Sequence, residues 1–177
     1  RGNGSGNIEQ IQFEQMRRLL DLYARFSVRT SFAVETMQQL CFRKSSAQFP
    51  ELATLADSWD EWVRDAFRHG HDIQLHLHPQ WLNASHAEGR WNLVSDWSIP
   101  NHDPEAVKEM IRAGKHYLEN LLKPIDSSYR CAVFRAGTLA VAPSRFLLSL
   151  LIEMGFALDV SLAGGLFLDT RNISLDY

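Results

Sequence analysis

The stretch Asp72-Ile-Gln-Leu-His-Leu-His78 decides the fold, because its side chains alternate between two unlike faces. The apolar residues at every second position share one face, and Gln74, His76 and His78 share the other. An alternation with a period of two predicts a β-strand. We expect its apolar face to pack against helices and its polar face to line the inside of a barrel.

Helical and strand patterns alternate on both sides of this stretch. Helices are predicted over residues 8–26, about 52–68, about 104–122 and 143–155, and further strands over 28–35, 131–135 and 156–161. Asp57 and Ser58 are candidate turn or cap positions of the second helix. Strands that alternate with helices of this length predict parallel βαβ units with right-handed crossovers. The predicted fold is therefore α/β, either a parallel barrel or an open doubly wound sheet.

The longest stretch with weak periodicity covers residues 79–103 and contains Trp81, Trp91 and Trp97. Loops of this length in compact domains are usually lids, binding loops or disordered segments, and three tryptophans argue against disorder. Two interpretations remain open. The tryptophans anchor the loop on the core, or one or two of them form a wall for a sugar ring.

The composition narrows the class of protein. The chain has 177 residues, which fits a single domain over 1–177, and a formal net charge of -3, which disfavours binding to nucleic acid or anionic lipid as the main function. Cys41 and Cys131 lie too far apart for a disulfide framework or a cysteine zinc motif, so we expect two buried free thiols. No stretch reaches the roughly 18 apolar residues of a membrane span. Localisation stays open, and we expect the chain to be a piece of its domain that lacks both ends.

Polar side chains come late in each predicted strand, on the face opposite its large apolar residues. In 156–161, for example, Asp159 and Ser161 alternate with the apolar Phe156, Leu158 and Val160. In parallel α/β folds the carboxyl ends of the strands form the rim of the active site. We therefore expect Glu35, His76, His78, Arg135 and Asp159 to converge there. Two histidines at i and i+2 of a strand project side by side and can bind one metal ion, so His-x-His indicates zinc. The alternative is a pair of histidines hydrogen-bonded in a polar barrel interior.

The other polar residues also carry alternatives. Arg135 could form a structural ion pair, Asp159 could cap a strand end, and Glu35 could be a solvated rim residue or an ion-pair partner in the core. His69 and His71 flank Gly70 at the end of a predicted helix. We expect these two histidines to be helix-terminal or surface residues rather than metal ligands.

Gly70-His-Asp-Ile-Gln-Leu-His-Leu-His-Pro-Gln-Trp81 resembles the second motif of the polysaccharide deacetylases, the NodB-homology family of carbohydrate esterases, in its subgroup with a His-Leu-His-Pro sequence. Upstream, Val28-Arg-Thr-Ser-Phe-Ala-Val34 is similar to the second strand of the family. Downstream, Phe134-Arg-Ala-Gly137 is similar to its arginine motif and Asp159-Val-Ser161 to the next one. The likeness spans most of residues 8–177, and the histidine and arginine segments are its specific parts.

The resemblance implies a distorted (β/α) barrel with one divalent metal ion, preferably zinc, that hydrolyses N-acetyl or O-acetyl groups on a carbohydrate. It implies that His76 and His78 bind this metal together with an aspartate placed before Arg1. The usual motif spaces its histidines four apart, but Gln80 occupies that position here, so either His78 replaces the missing ligand or the metal site is altered. A metal held in this way would polarise the acetyl carbonyl and lower the pKa of a water molecule toward about 7.

The resemblance also implies roles for two further residues as catalytic groups. Arg135 would hold the catalytic carboxylate through charge-assisted hydrogen bonds. Asp159 would orient an active-site histidine or contact Arg135. The late histidine of the family, its general acid, would lie after Tyr177.

Two rival functions fit parts of the pattern. Amidohydrolase-type barrels also use His-x-His on a strand, generally the first one, with later histidines as further metal ligands. A carbohydrate-binding relative without catalysis would keep the groove while its metal site has decayed.

Overall fold

A computed structural model gives the fold and describes residues 7–143, 145–170 and 174–177. Within these ranges the α-helices are α1 (Glu14–Arg25), which a π-helical turn (Glu9–Phe13) precedes, α2 (Thr36–Ser45), α3 (Pro50–Arg68), α4 (Pro104–Leu122) and α5 (Arg145–Glu153). The strands are β1 (Ser31–Glu35), β2 (Asp72–Leu77), β3 (Ser85–Ala87), β4 (Arg90–Asn92), β5 (Val133–Ala136), β6 (Leu158–Asp159), β7 (Phe167–Asp169) and β8 (Ser174–Asp176). Each helix in this part of the chain is too short or too polar to cross a lipid bilayer.

Four parallel strands form the central sheet, in the order β1-β2-β5-β6. Helices connect these strands in sequence, which confirms the predicted α/β class with parallel βαβ units. The described part of the sheet has two edge strands, β1 and β6, so closure into a barrel is not confirmed. The remaining strands pair as two antiparallel hairpins, β3 with β4 and β7 with β8.

The helices cover the apolar face of the sheet. A Cβ atom added to Gly114 of α4 would lie 2.8 Å from Cδ1 of Leu75 and 2.5 Å from Oγ1 of Thr36. The α4 backbone therefore lies directly on β2 and on the first turn of α2, where only glycine fits. Leu75 and its neighbours Ile73 and Leu77 are fully buried beneath it. The predicted division of β2 into an apolar helix face and a polar opposite face is confirmed.

Helix α4 has the predicted bounds, but two expectations about the earlier helices are wrong. Helix α2 was not predicted, because Thr36 and Gln39 on its buried face are polar and weaken the apolar periodicity. Helix α3 begins at Pro50, a favoured first-turn residue, so Asp57 and Ser58 lie inside the helix and cap nothing.

The tryptophan-rich loop is folded onto the core. Trp81 and Trp91 are buried, and the Trp91 ring stacks on Phe42 of α2 with centroids 5.6 Å apart. The anchoring interpretation therefore holds for these two residues. Trp97 is only partly buried and packs against the cluster of Ala140 and Leu175.

Cys41 and Cys131 are both free thiols, and Cys131 is fully buried while Cys41 is half-buried. Burial raises the pKa of Cys41 to about 11 and that of Cys131 to about 12. Both side chains therefore stay protonated at neutral pH and are poor metal ligands. The expectation of two buried free thiols is confirmed for Cys131, whereas Cys41 is free but only half-buried.

His71 is buried rather than at the surface, with 4% of its area exposed. Its ring packs against Tyr23 and Phe32, and its Nδ1 accepts a hydrogen bond from the Thr30 backbone N–H at 3.3 Å. Of the two placements expected for this residue, the helix-terminal one is observed, since its backbone N–H donates to the Ala66 carbonyl oxygen at the end of α3, and the surface one is wrong. Burial lowers the pKa of His71, and the neighbouring His69 and Arg29 act in the same direction.

Because the pKa of His71 is lower in the folded protein, its contribution to stability is complete above the unfolded-state pKa of about 6.5 and is lost as the pH falls. We expect His71→Asn, which keeps an acceptor near the Nδ1 position and cannot titrate, to lose less unfolding free energy between pH 7.5 and 5.5. The difference is at most about 1.4 kcal/mol per pH unit. Denaturant unfolding at both pH values measures it, and identical pH dependence of the two proteins would contradict the assignment.

Candidate metal centre

The sheet register places three polar residues side by side at the carboxyl ends of the strands. Glu35 of β1 pairs with His76 of β2, and His76 pairs with Arg135 of β5. Residues in register on parallel strands project to the same face, and this face is opposite the one covered by α4. The expected convergence of these three residues is therefore observed in the position of their backbones.

A backbone carbonyl fixes the His76 ring. Nδ1 of His76 lies 3.0 Å from the Arg135 carbonyl oxygen, which can only accept a hydrogen bond, so Nδ1 donates. The neutral ring then keeps its Nε2 lone pair free. Metal-binding histidines in proteins are held in this way, with the second ring nitrogen donating to a carbonyl or a carboxylate.

His78 is held by the carboxylate of Glu35. Its Nδ1 lies 2.5 Å from Oε2 of Glu35, and the second carboxylate oxygen, Oε1, accepts hydrogen bonds from the backbone N–H groups of Met37 and Gln38 at 2.7 and 3.2 Å. Glu35 is therefore the N-cap of α2 and the orienting partner of His78 at the same time. Nε2 of His78 remains free to bind a metal ion.

Together these residues form a group that can hold a metal. Ligand atoms of Glu35, His76 and His78 lie within 4.8 Å of one another, and the two imidazole rings stand nearly perpendicular with centroids 4.4 Å apart. Two imidazoles that each donate through Nδ1 direct two Nε2 atoms to a metal ion, a donor set that suits Zn²⁺ and similar divalent ions. These side chains therefore suit a divalent metal ion, with Glu35 as an orienting partner or as a third ligand.

The protonation state of His76 also suits a ligand. The pKa of His76 is lowered to about 4, mainly by burial, with the charges of His78 and Arg135 acting in the same direction and with Glu35 and the hydrogen bond to the Arg135 carbonyl opposing them. A histidine must be neutral to bind a metal ion. At neutral pH no proton has to leave His76 before it does so.

Gly137 lies directly against the His78 ring. A Cβ atom at Gly137 would stand 2.3 Å from Cδ2 and 2.7 Å from Cγ of that ring. Glycine is therefore required by close approach, which gives a physical reason for the glycine in the Phe134-Arg-Ala-Gly137 segment. Gln80, which stands where the usual motif has its second histidine, is buried.

Arg135 lies on the same face, with an exposed side chain. Across the described ranges its guanidinium group has no hydrogen-bonding or ion-pair partner. Its backbone carbonyl orients His76, a role that the sequence did not indicate. The predicted pairing of the guanidinium with a catalytic carboxylate stays a prediction.

Asp159 does not join this group. It pairs in register with Phe134, whereas the histidine face belongs to Arg135, so Asp159 points to the helix side of the sheet. Its Oδ1 accepts hydrogen bonds from the backbone N–H of Ser161 at 3.0 Å and from the Ser161 hydroxyl at 2.5 Å. These hydrogen bonds fit the alternative in which Asp159 caps the end of a strand. A catalytic role of Asp159 stays a prediction.

The reason for this placement lies in the apolar residues of β6 and its extension. We expected them to face the core, but Leu158 and Val160 are 53% and 42% exposed. They project to the histidine side of the sheet. Alternation alone gives the two faces of a strand and leaves open which face meets the helices.

Searches against models of known protein families, curated proteins and solved structures find no match for this chain. The candidate site consists of two imidazoles with free Nε2 atoms at the carboxyl ends of a parallel sheet. A backbone carbonyl orients His76, and a helix-capping carboxylate orients His78.

We expect Glu35→Gln in the full-length protein to weaken zinc binding by about 10- to 100-fold, the range typical of outer-shell partners. The glutamine keeps a carbonyl oxygen for the helix cap, but its amide cannot accept the proton of His78 Nδ1 while capping. Calorimetric titration with Zn²⁺ measures the affinity.

The matched control is Asp103→Ala, which removes the capping carboxylate of α4 that accepts hydrogen bonds from the backbone N–H groups of Glu105 and Ala106 and costs about 0.5–2 kcal/mol of stability. This control should lose stability and keep its zinc affinity. Equal losses of affinity in the two variants would show that Glu35 acts only through helix stability.

Proposed function

We propose that this protein is a metal-dependent hydrolase that removes N- or O-acetyl groups from a carbohydrate, on a sheet that belongs to a distorted (β/α) barrel. The observation that carries the proposal is the arrangement of His76 and His78, two oriented imidazoles with free Nε2 atoms at the carboxyl ends of parallel strands. Active sites of α/β barrels lie at this end of the sheet. The resemblance of this segment to the polysaccharide deacetylases supplies the reaction class.

One divalent ion, preferably zinc, is the proposed cofactor. When bound, such an ion polarises an acyl carbonyl and lowers the pKa of water. The protein residues do the positioning: His76 and His78 hold the ion, and Glu35 keeps the His78 ring in one tautomer and one orientation. Because both rings already have fixed Nδ1 partners, little reorganisation is needed on binding.

Two further features support a carbohydrate substrate and a charged catalytic group. Trp97 is the partly exposed tryptophan of the long loop, and it packs against the cluster of Ala140 and Leu175. A partly exposed indole ring is a side chain on which a sugar ring can stack. Arg135 presents its guanidinium on the histidine face, where we propose that it pairs with the carboxylate that accepts a proton during hydrolysis.

The test is acetate release by the full-length zinc-loaded protein from N-acetylated and O-acetylated oligosaccharides. We expect His76→Ala to weaken metal binding by more than about 100-fold, beyond the outer-shell range, and to abolish acetate release. His116→Ala, at an exposed histidine of α4, should leave both unchanged.

Acetate release that survives chelation or His76→Ala would contradict the proposal. Glycan binding that is insensitive to chelation, with no acetate released, would favour a carbohydrate-binding relative without catalysis. Two bound ions per chain and turnover of a cyclic amide would favour an amidohydrolase.

A further inference from the structure

The backbone that supports His78 is held in an unusual conformation. Gly137, which contacts the His78 ring, is followed by Thr138 and Leu139 with φ values of 54° and 61°. Left-handed backbone is unfavourable for residues with a Cβ atom, and two in succession persist only where the surroundings hold them. We call residues 137–139 the arch.

Tyr177, which follows the β7–β8 hairpin, holds the arch through one hydroxyl group. The Tyr177 hydroxyl donates a hydrogen bond to the Leu139 carbonyl oxygen at 2.6 Å and accepts one from the Val141 backbone N–H at 3.0 Å. It therefore joins the end of the arch to the residue just beyond it. The side chain of Thr138, by contrast, bonds only to the adjacent Gly137 carbonyl oxygen, at 2.6 Å.

Tyr177 is itself fixed. Its backbone N–H donates to the Leu166 carbonyl oxygen at 3.0 Å, and its carbonyl oxygen accepts from Gly165 N–H at 2.6 Å. A small apolar cluster packs around the same place, formed by Ala140, Leu175, Trp97, Leu166, Leu168 and Tyr177. The hydroxyl is thus presented by a folded hairpin, and its two bonds are a constraint on the arch.

We infer that Tyr177 is a positioning residue of the metal centre, which sets the place of His78 through the arch. The chain of contacts runs from the Tyr177 hydroxyl to Leu139, along the backbone to Gly137, and from the Gly137 Cα to the His78 ring. The inference rests on the proposed function, because that function supplies the metal ion. The contacts from which it is argued end at the His78 ring. Tyr177 does not touch the ligand atoms, so it acts only by position.

The test compares Tyr177→Phe with Tyr129→Phe in the full-length protein. Tyr129 is a matched control, because its buried hydroxyl also donates to a backbone carbonyl oxygen, that of Ile73 at 2.8 Å, near the start of β2. We expect Tyr177→Phe to weaken the binding of Co²⁺ about tenfold, at the lower end of the range for outer-shell groups, and to change the visible absorption of the bound ion. Tyr129→Phe should change neither.

A second readout needs no metal. The ring ¹⁵N signals of His78 in the metal-free protein at fixed pH should shift in Tyr177→Phe and stay in place in Tyr129→Phe. If the wild-type protein binds no Co²⁺ and this shift occurs, the proposed function fails and the role of Tyr177 stands. Unchanged His78 signals in Tyr177→Phe, or equal shifts in the two variants, would overturn the inference.

Discussion

The contact between Nδ1 of His78 and Oε2 of Glu35 is the interaction on which the site depends. It joins the end of β2 to the first turn of α2, since the other oxygen of the same carboxylate caps that helix. A carboxylate held by two backbone N–H groups cannot easily rotate, so it fixes the imidazole that is hydrogen-bonded to it. The histidine is therefore placed by the backbone of a helix rather than by a mobile side chain.

The register of the parallel sheet decides which residues share this place. Glu35, His76 and Arg135 occupy one row across three strands, and a shift of one residue would turn each of them toward the helices. Asp159 stands in the neighbouring row with Phe134 and is bonded to Ser161 instead. Strand pairing, together with the identity of the polar residues, therefore determines which residues belong to the site.

Much of the fold could be predicted from local pattern. Strand β2 shows a clear alternation, and α4 begins at Pro104, as predicted; the cap provided by Asp103 is known only from the structure. Helix α2 could not be predicted in this way, because its buried face includes Gln39, whose amide donates to Ala56 O and Asp60 Oδ1. From the sequence alone, a buried polar residue whose hydrogen-bond partners lie far along the chain cannot be told from an exposed one.

Part of the candidate site could also be predicted from local sequence pattern. The two histidines follow from their spacing on one strand, whereas the role of Glu35 depends on a helix cap and a pairing between strands that only the fold brings together. The faces of β6 were assigned from the apolar residues, and Leu158 and Val160 reverse that assignment. The hydroxyl of Tyr177 gave no local signal, because its partners Leu139 and Val141 lie far away in the sequence.

X-ray absorption at the zinc edge of the metal-loaded full-length protein tests the central claim most directly. We expect a first shell of nitrogen and oxygen atoms with the multiple scattering of two imidazoles and zinc–nitrogen distances of about 2.0–2.1 Å. A shell without imidazole scattering, or one that contains sulfur from Cys41 or Cys131, would show that His76 and His78 are not the ligands.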